Sequence, residues 1–356
     1  MFRKRIENLQ KKLNPGQAYL ITDNTNRFYF TGMHSSAGYL LITEKEAWLL
    51  IDFRYFEKAK NTVKSVEILL LDKFFSQLSR LLKDRNIKTL LLESDTLTVS
   101  AFENFKNNLI DFEILASQEL SKHIEQLRSI KTPDEIENIK KAQFLTDKTF
   151  SYILNRIRKG VTEKEVMLDM EFFIRKNGSE GVAFDFIVVS GKNSSLPHGV
   201  PGDKPIEDGD FVTMDFGAVV NGYRSDMTRT VAVGNVSEKQ RAVYDTVLKA
   251  QLCALDIIKP GVLCRDVDKA ARDLIDSAGY KGCFGHGLGH SVGLEIHENP
   301  ACNTKDTTLL QTGMIMTVEP GIYIENEFGV RIEDMVAITD SSNENLTKSP
   351  KELIVI

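Results

Sequence analysis

Apolar and polar positions alternate along the chain in two different ways, and the change falls near residue 125. Before it, short apolar runs recur at Ala18 to Thr22, Gly38 to Ile42, Ala47 to Ile51, Val66 to Leu71, Thr89 to Leu92 and Phe112 to Leu115. Their length and their turn-rich borders predict strands. Helical periodicity occupies Phe2 to Leu13, which stops at Asn14-Pro15-Gly16, and then Lys73 to Leu82 and Val99 to Leu109. Residues 1–125 therefore read as a smaller α/β domain around a mixed sheet.

From Lys131-Thr132-Pro133-Asp134-Glu135-Ile136 onward the helical periods lengthen. Thr132 suits an N-cap and Pro133 the first helical position. The spacing predicts a helix to about Lys159, a break at Gly160, and a restart behind Thr162-Glu163-Lys164-Glu165, a capping box, ending at Asn177-Gly178. An apolar run over Phe184 to Val189, a turn-rich Ser190 to Gly202, and strands over Phe211 to Val219 and Arg229 to Val233 follow, the last two joined through Asn221-Gly222. The order then repeats, with helices over Ser237 to Ile258 and Asp266 to Ala278, a glycine- and histidine-rich stretch, and strands over Met314 to Ile324 and Phe328 to Ile338. A helix-helix-strand-strand unit used twice predicts a pseudo-symmetric α+β domain over residues 126–356 whose sheet halves enclose a central site.

Composition narrows the function without choosing it. A length of 356 residues exceeds what one core usually supports, in keeping with two domains. A net charge of -5 offers no basic field for nucleic acid. No apolar run has the length of a membrane span or the form of a signal peptide, so a cytoplasmic protein is expected. Cys253, Cys264, Cys283 and Cys302 form no C-x-x-C pair, which argues against a disulfide framework and a thiolate zinc site. His34 and Trp48 read as packing residues.

The chemistry gathers in the two predicted hairpins and the histidine stretch. Asn221-Gly222 suits a type I′ turn, and with Val220 facing Tyr223 it sets Asp226 opposite Gly217, with Asp215 on the same face. Their Cα atoms would then lie about 7 to 8 Å apart, within reach of shared metal ions. On this hairpin alone, two aspartates on a solvated strand face explain the pattern equally well. A second hairpin centred on Asn326 sets Glu319 directly opposite Glu333. Facing like charges repel, so this pair calls for a proton or for cations. Arg331, two residues before Glu333 on the same face, supplies some positive charge and can orient a ligating carboxylate. Gly285 to Glu298 holds three of the six histidines, His286, His290 and His297, spaced by four and then seven residues. An unbroken strand would aim His290 and His297 to opposite faces, so a bulge or turn is expected near Gly293. Two Asp, two Glu and one His exceed a tetrahedral structural zinc site but suit two divalent ions bridged by carboxylates and water.

These residues resemble the metal-ligand set of the pita-bread metallopeptidases, the family of methionine aminopeptidase, aminopeptidase P and prolidase. The likeness runs through Met214-Asp215-Phe216-Gly217, Ser225-Asp226-Met227-Thr228-Arg229-Thr230, the histidine stretch, Val318-Glu319-Pro320-Gly321-Ile322-Tyr323 and Val330-Arg331-Ile332-Glu333-Asp334. His198 in Leu196-Pro197-His198-Gly199, with His286 and His297, is similar to the outer histidines of the Xaa-Pro branch. Arg27-Phe28-Tyr29-Phe30-Thr31-Gly32 and Ile51-Asp52-Phe53-Arg54-Tyr55 resemble the accessory domain of that branch. The resemblance implies that Asp226 and Glu333 bridge two divalent metal ions, manganese, cobalt, iron or zinc. Asp215 would complete one metal site, and His290 with Glu319 the other. It further implies a water activated between the ions, Glu319 as acceptor of its proton, His198 and His297 as donors to the substrate carbonyl, and His286, Arg331 and Tyr323 in contact with substrate. A proline-containing peptide would be the substrate and a homodimer the assembly. The alternatives are an aminopeptidase of other specificity, such as for N-terminal methionine, and a metal-free binding module of the kind found among creatine-type amidinohydrolases and histone chaperones.

Overall fold

Six strands, Gln17–Ile21, Tyr39–Ile42, Ala47–Ile51, Glu67–Leu70, Thr89–Glu93 and Glu113–Ser117, form one sheet near the start of the chain. They coincide with the six apolar runs of the sequence. In spatial order they run fourth, third, second, first, fifth, sixth, and the sheet is mixed. Helices over Phe2–Gln10, Phe74–Asp84 and Val99–Asn108 were legible as periodicity. Those over Asn24–Thr31, Phe53–Thr62 and Gln118–Ser129 were not. The first two are short and owe their starts to local caps, since Asp23 accepts from the Asn26 N–H and Asp52 from the Arg54 N–H. His34 stacks on Phe28, and buried Trp48 donates its indole N–H to Glu67, as packing residues do.

The computed structural model describes residues 1–356, which divide into units Met1–Arg128 and Ser129–Ile356. None of its helices is long and apolar enough to cross a membrane. In the second unit, the helices Pro133–Ile153, Glu163–Lys176 and Glu238–Ile257 each begin with a capping box, Thr132 with Glu135, Thr162 with Glu165, and Ser237 with Gln240. Caps of this kind stabilise a helix by about 1 kcal/mol each. The first helix stops short of the expected Lys159 because the backbone turns away after Ile153, and the Gly160 N–H bonds to the Ile206 carbonyl instead.

Two cores correspond to the two repeats. Ile153, Met170, Val188, Val212 and Met214 are among the residues that pack one, beneath a sheet of Ile187–Ser190, Phe211–Phe216 and Met227–Ala232. Val247, Ala271, Met316, Val330 and Val336 are among those of the other, with Cys264–Ile275 as its second helix. Both hairpins take the register expected of them. Val220 pairs with Tyr223 and Phe216 with Met227, with Asn221 and Gly222 at φ 50 and 78. Ile324 pairs with Phe328, Gly321 with Arg331 and Val318 with Asp334, around Asn326 at φ 59. Both hairpins differ from expectation in being cut in two, the first between Phe216 and Val219. In the second, ladder pairing stops at Val318 on one side and resumes at Gly321, which leaves Glu319 and Pro320 outside it. Proline brings no N–H to a ladder, so the cut falls where the chain cannot pair.

Candidate active site

Breaks in both hairpins free carboxylates from the ladders, Glu319 beside Pro320 in the second and Asp226 after Arg224 in the first. The Glu319 N–H reaches across to the Leu288 carbonyl at 2.8 Å, and the Glu333 N–H to the Thr228 carbonyl at 3.1 Å, so the second hairpin is sewn to the histidine stretch and to the first hairpin. Two glycines permit the close approach. A Cβ on Gly217, opposite Asp226, would lie 1.9 Å from the Ser225 carbonyl oxygen, and one on Gly289, beside His290, 2.2 Å from that of Thr317.

Asp226, His290 and Glu333 bring one potential ligand atom each within 4.8 Å of one another. His290 Nδ1 lies 3.1 Å from the Ser291 carbonyl, an acceptor only, so this nitrogen carries the proton. Nε2 is thereby left facing Glu319 Oε1 at 3.3 Å and Asp226 Oδ2 at 3.6 Å. Asp215 joins through Arg331, whose Nη2 donates to its Oδ2 at 2.7 Å. All five residues named from the sequence, Asp215, Asp226, His290, Glu319 and Glu333, thus border one cavity of about 660 Å³.

Burial and mutual repulsion set the charges. Burial, with Glu333 and Asp215 as neighbours, pushes Asp226 well above the usual carboxylate range, and burial beside Glu319 and Asp215 does the same to Glu333. Burial raises Asp215 too, against the opposing pull of Arg331. At Glu319 burial is outweighed by the His290 hydrogen bond and charge, with help from His286 and Arg331, and its pKa falls to about 2. The Asp215 Oδ1 and Glu333 Oε1 atoms are buried without a hydrogen-bond partner. Unpaired buried carboxylate oxygens are costly, and they point to cations as their missing partners. Oxygen donors with a single imidazole fit hard-to-borderline divalent ions.

The outer residues fall on two sides. His198 and His297 border the cavity, as do His286 and Arg331, together with Phe184 and Phe186. His290 and His297 come together, ring centroids 4.4 Å apart, by a bulge between His290 and Ser291 and a reversal of the chain over residues 292–297. The expected irregularity is thus spread over both places. Tyr323 does not border the cavity. Its hydroxyl sits behind it, 2.9 Å from His286 Nε2 and 2.8 Å from Arg331 Nη1.

Sequence reasoning passed over several residues. Thr228 Oγ1 donates to Glu333 at 2.7 Å and accepts from Arg331 Nε at 3.0 Å, and Thr317 Oγ1 lies 3.2 Å from Glu319. Period-two alternation could have found both, since Thr228 follows Asp226 by two residues and Thr317 precedes Glu319 by two. Lys131, whose Nζ lies 2.7 Å from Ser291 Oγ and 3.2 Å from Glu298, carries no such signal.

Acidic side chains and an imidazole converging beside a substrate-sized cavity define a metal-dependent hydrolase. Residues 137–340 match metallopeptidase family M24 and residues 5–130 match the creatinase/prolidase N-terminal domain, so the chain belongs to the M24 metallopeptidases. It is 42% identical to the Xaa-Pro dipeptidase of Pyrococcus furiosus, over 99% of this chain and 100% of that one. Among solved structures it is similar to the Xaa-Pro dipeptidase from Bacillus anthracis, with TM-score 0.96 and 43% identity over 100% of both chains. It is also similar to the X-Pro aminopeptidase from Thermotoga maritima MSB8, with TM-score 0.91 and 37% identity over 98% of this chain and 99% of that one. The fold is the expected one, an α/β N-terminal domain followed in the sequence by a pita-bread catalytic domain.

Proposed function

We propose that the chain hydrolyses the bond between an N-terminal residue and a following proline, using two divalent ions held by Asp215, Asp226, His290, Glu319 and Glu333. The observation that carries this reading is the convergence of those five side chains, two of them with orphaned oxygens, on a cavity that three further imidazoles border. The names of the relatives support the Xaa-Pro specificity. The ions we expect are manganese, cobalt, iron or zinc, in a cytoplasmic homodimer.

Bound divalent ions supply a Lewis acid and make hydroxide available near neutral pH. The chain's own residues do the rest. Glu319 is ionised at neutral pH and would take the proton of the attacking water. His297 is pushed down, by burial first and the neighbouring His290 second, so it stays neutral and donates an N–H to the substrate carbonyl oxygen as charge develops there. His198, exposed on the cavity wall, donates from a second direction.

His286 has a different part. Its Nδ1 lies 2.8 Å from the Gly287 carbonyl, which only accepts, so Nδ1 bears the proton and Nε2 a lone pair. Tyr323 O–H must then donate to Nε2, and Arg331 Nη1 donates to the Tyr323 oxygen. Burial keeps the imidazole neutral. With both nitrogens engaged, His286 offers the substrate a ring face. That suits proline, whose amide nitrogen brings no N–H to be recognised and whose ring asks for apolar surface. Arg331 spends its donors on Asp215, Tyr323, Thr228 and the Pro197 carbonyl, which makes it an orienting residue for the metal site.

Replacement of Glu319 by Ala is expected to lower bound metal and to abolish hydrolysis of an Xaa-Pro dipeptide and an Xaa-Pro-Xaa tripeptide alike. A metal-replete, fully active E319A protein would remove Glu319 from the site.

A further inference from the structure

The exposed His198 ring takes its position from the backbone of the loop that carries it. Five consecutive residues, Pro197 to Pro201, border the cavity, and Leu196 and Val200 are 56% and 84% exposed. The apex of this loop is thus open, and its geometry depends on how its ends and middle are held.

One carboxylate gathers that base. Glu163, at the first turn of the Glu163–Lys176 helix, is fully buried and does not border the cavity. Its Oε1 accepts from the Ser190 N–H at 2.6 Å, the Ser190 hydroxyl at 2.9 Å and Asn193 Nδ2 at 3.1 Å. Its Oε2 accepts from Asn193 Nδ2 at 3.2 Å and from the Gly202 N–H at 3.1 Å. Ser190 and Gly202 are the two ends of the loop, and a single side chain holds both. The backbone repeats the tie, with the Lys164 N–H on the Gly202 carbonyl at 3.0 Å. Further along, Ser194 Oγ accepts from the Gly329 N–H at 2.9 Å and Arg331 reaches the Pro197 carbonyl at 3.3 Å. These contacts brace the middle, while the ends are closed by Glu163 together with Lys204, whose Nζ donates to the Ser190 hydroxyl at 3.0 Å.

We propose that Glu163 is a positioning residue for His198, acting on turnover through the loop it closes. The inference rests on the role given to His198 above. Glutamine is the sharpest probe, because it keeps size and shape while replacing one acceptor oxygen by a donor. In either amide orientation an NH₂ then faces an N–H, that of Gly202 or that of Ser190. Displacement of a transition-state donor by a fraction of an ångström to 1 Å costs on the order of ten- to a hundredfold in rate.

The test is a double-mutant cycle of Glu163→Gln and His198→Ala in the full-length, metal-saturated protein, with kcat, KM and metal content measured for each variant. E163Q is expected to lower kcat about ten- to a hundredfold, with KM and metal content little changed, and to have no further effect once His198 is alanine. An E163Q that turns over like the parent, or that lowers kcat by the same factor in both backgrounds, overturns the inference. If H198A alone leaves kcat unchanged, the role assigned to His198 is wrong and this inference falls with it. If H198A slows turnover and E163Q multiplies the loss, only this inference falls. Should E163Q fail to fold, Asn193→Ala removes one donor from both oxygens. It is expected to give a smaller loss of kcat that also vanishes in the H198A background, and equal losses in both backgrounds overturn the inference.

Discussion

Tyr323→Phe isolates one oxygen atom in a chain of buried hydrogen bonds. The ring stays, so packing is kept, but Arg331 Nη1 loses an acceptor at 2.8 Å and His286 Nε2 a donor at 2.9 Å. A hydrogen bond to a charged group contributes about 1.5–3 kcal/mol and one to a neutral imidazole about 1 kcal/mol. Arg331 and His286 both border the cavity, where water can replace part of what is lost, so a net destabilisation of about 2 kcal/mol is expected. For a unit of this size that is a fall in Tm of about 4–8 °C. Freed of its partner, His286 Nε2 can also take up a proton. Its ring then gains charge more readily as pH falls, still below the ordinary histidine range because burial persists, and the wall offered to proline becomes less apolar. Calorimetry of the metal-saturated variant reads the first effect. A KM for an Xaa-Pro dipeptide that rises more steeply below neutral pH than in the parent, with kcat little changed, reads the second. A Tm within 1 °C of the parent together with a parallel pH profile of KM would refute the reasoning.

Two further outcomes are expected. In the metal-free protein, burial and neighbouring carboxylates raise Asp226 and Glu333 above their ordinary values of 3.8 and 4.5, so the folded state binds more protons than the unfolded chain above those values. Stability of the metal-free form therefore falls as pH rises through that window, and cation binding, which expels those protons, tightens over the same range. The gap in Tm between metal-loaded and metal-free protein should widen from pH 5 to pH 8, and titration calorimetry in buffers of different ionisation enthalpy should register proton release. A gap independent of pH sinks this account. Arg229→Met breaks the buried pair with Asp334, 2.7 Å long, and removes donors from the Ser349 and Pro350 carbonyls. Asp334 keeps Lys351 and Asn345, so the loss belongs at the low end for a buried pair, about 3 kcal/mol by denaturant unfolding. A change below about 1 kcal/mol would mean that the remaining partners suffice.

How much of this was legible in advance depended on whether a short sequence signal dictates the geometry. Asn221-Gly222 forces positive φ at two adjacent positions, and that alone carried the register to Asp215 and Asp226. Asn326 did the same for Glu319 and Glu333. Apolar runs located all six strands of the first sheet, since a strand's burial is written in its own residues. The helix over Asn24–Thr31 buries polar Asn26, Arg27 and Thr31 beside its aromatics, and that over Phe53–Thr62 buries only Ala59, so neither shows an apolar stripe. The route that carries the chain from His290 back to His297 depends on partners far away in sequence, such as Arg224, whose N–H meets the Gly293 carbonyl at 2.8 Å. Glu163 was visible as part of a capping box spacing, but nothing local announces that its carboxylate closes a loop some thirty residues on.

The bracing of the acidic cluster by Arg331, Thr228 and Thr317 has a consequence for handling the protein. Small zinc-organised domains collapse when stripped because the ion is their only framework. Here the carboxylates are also held by hydrogen bonds to those side chains, so an ion is not their only framework. A chelator should yield a well-shaped blank that can be recharged, and the species it carries in a cell will follow local supply as much as intrinsic preference.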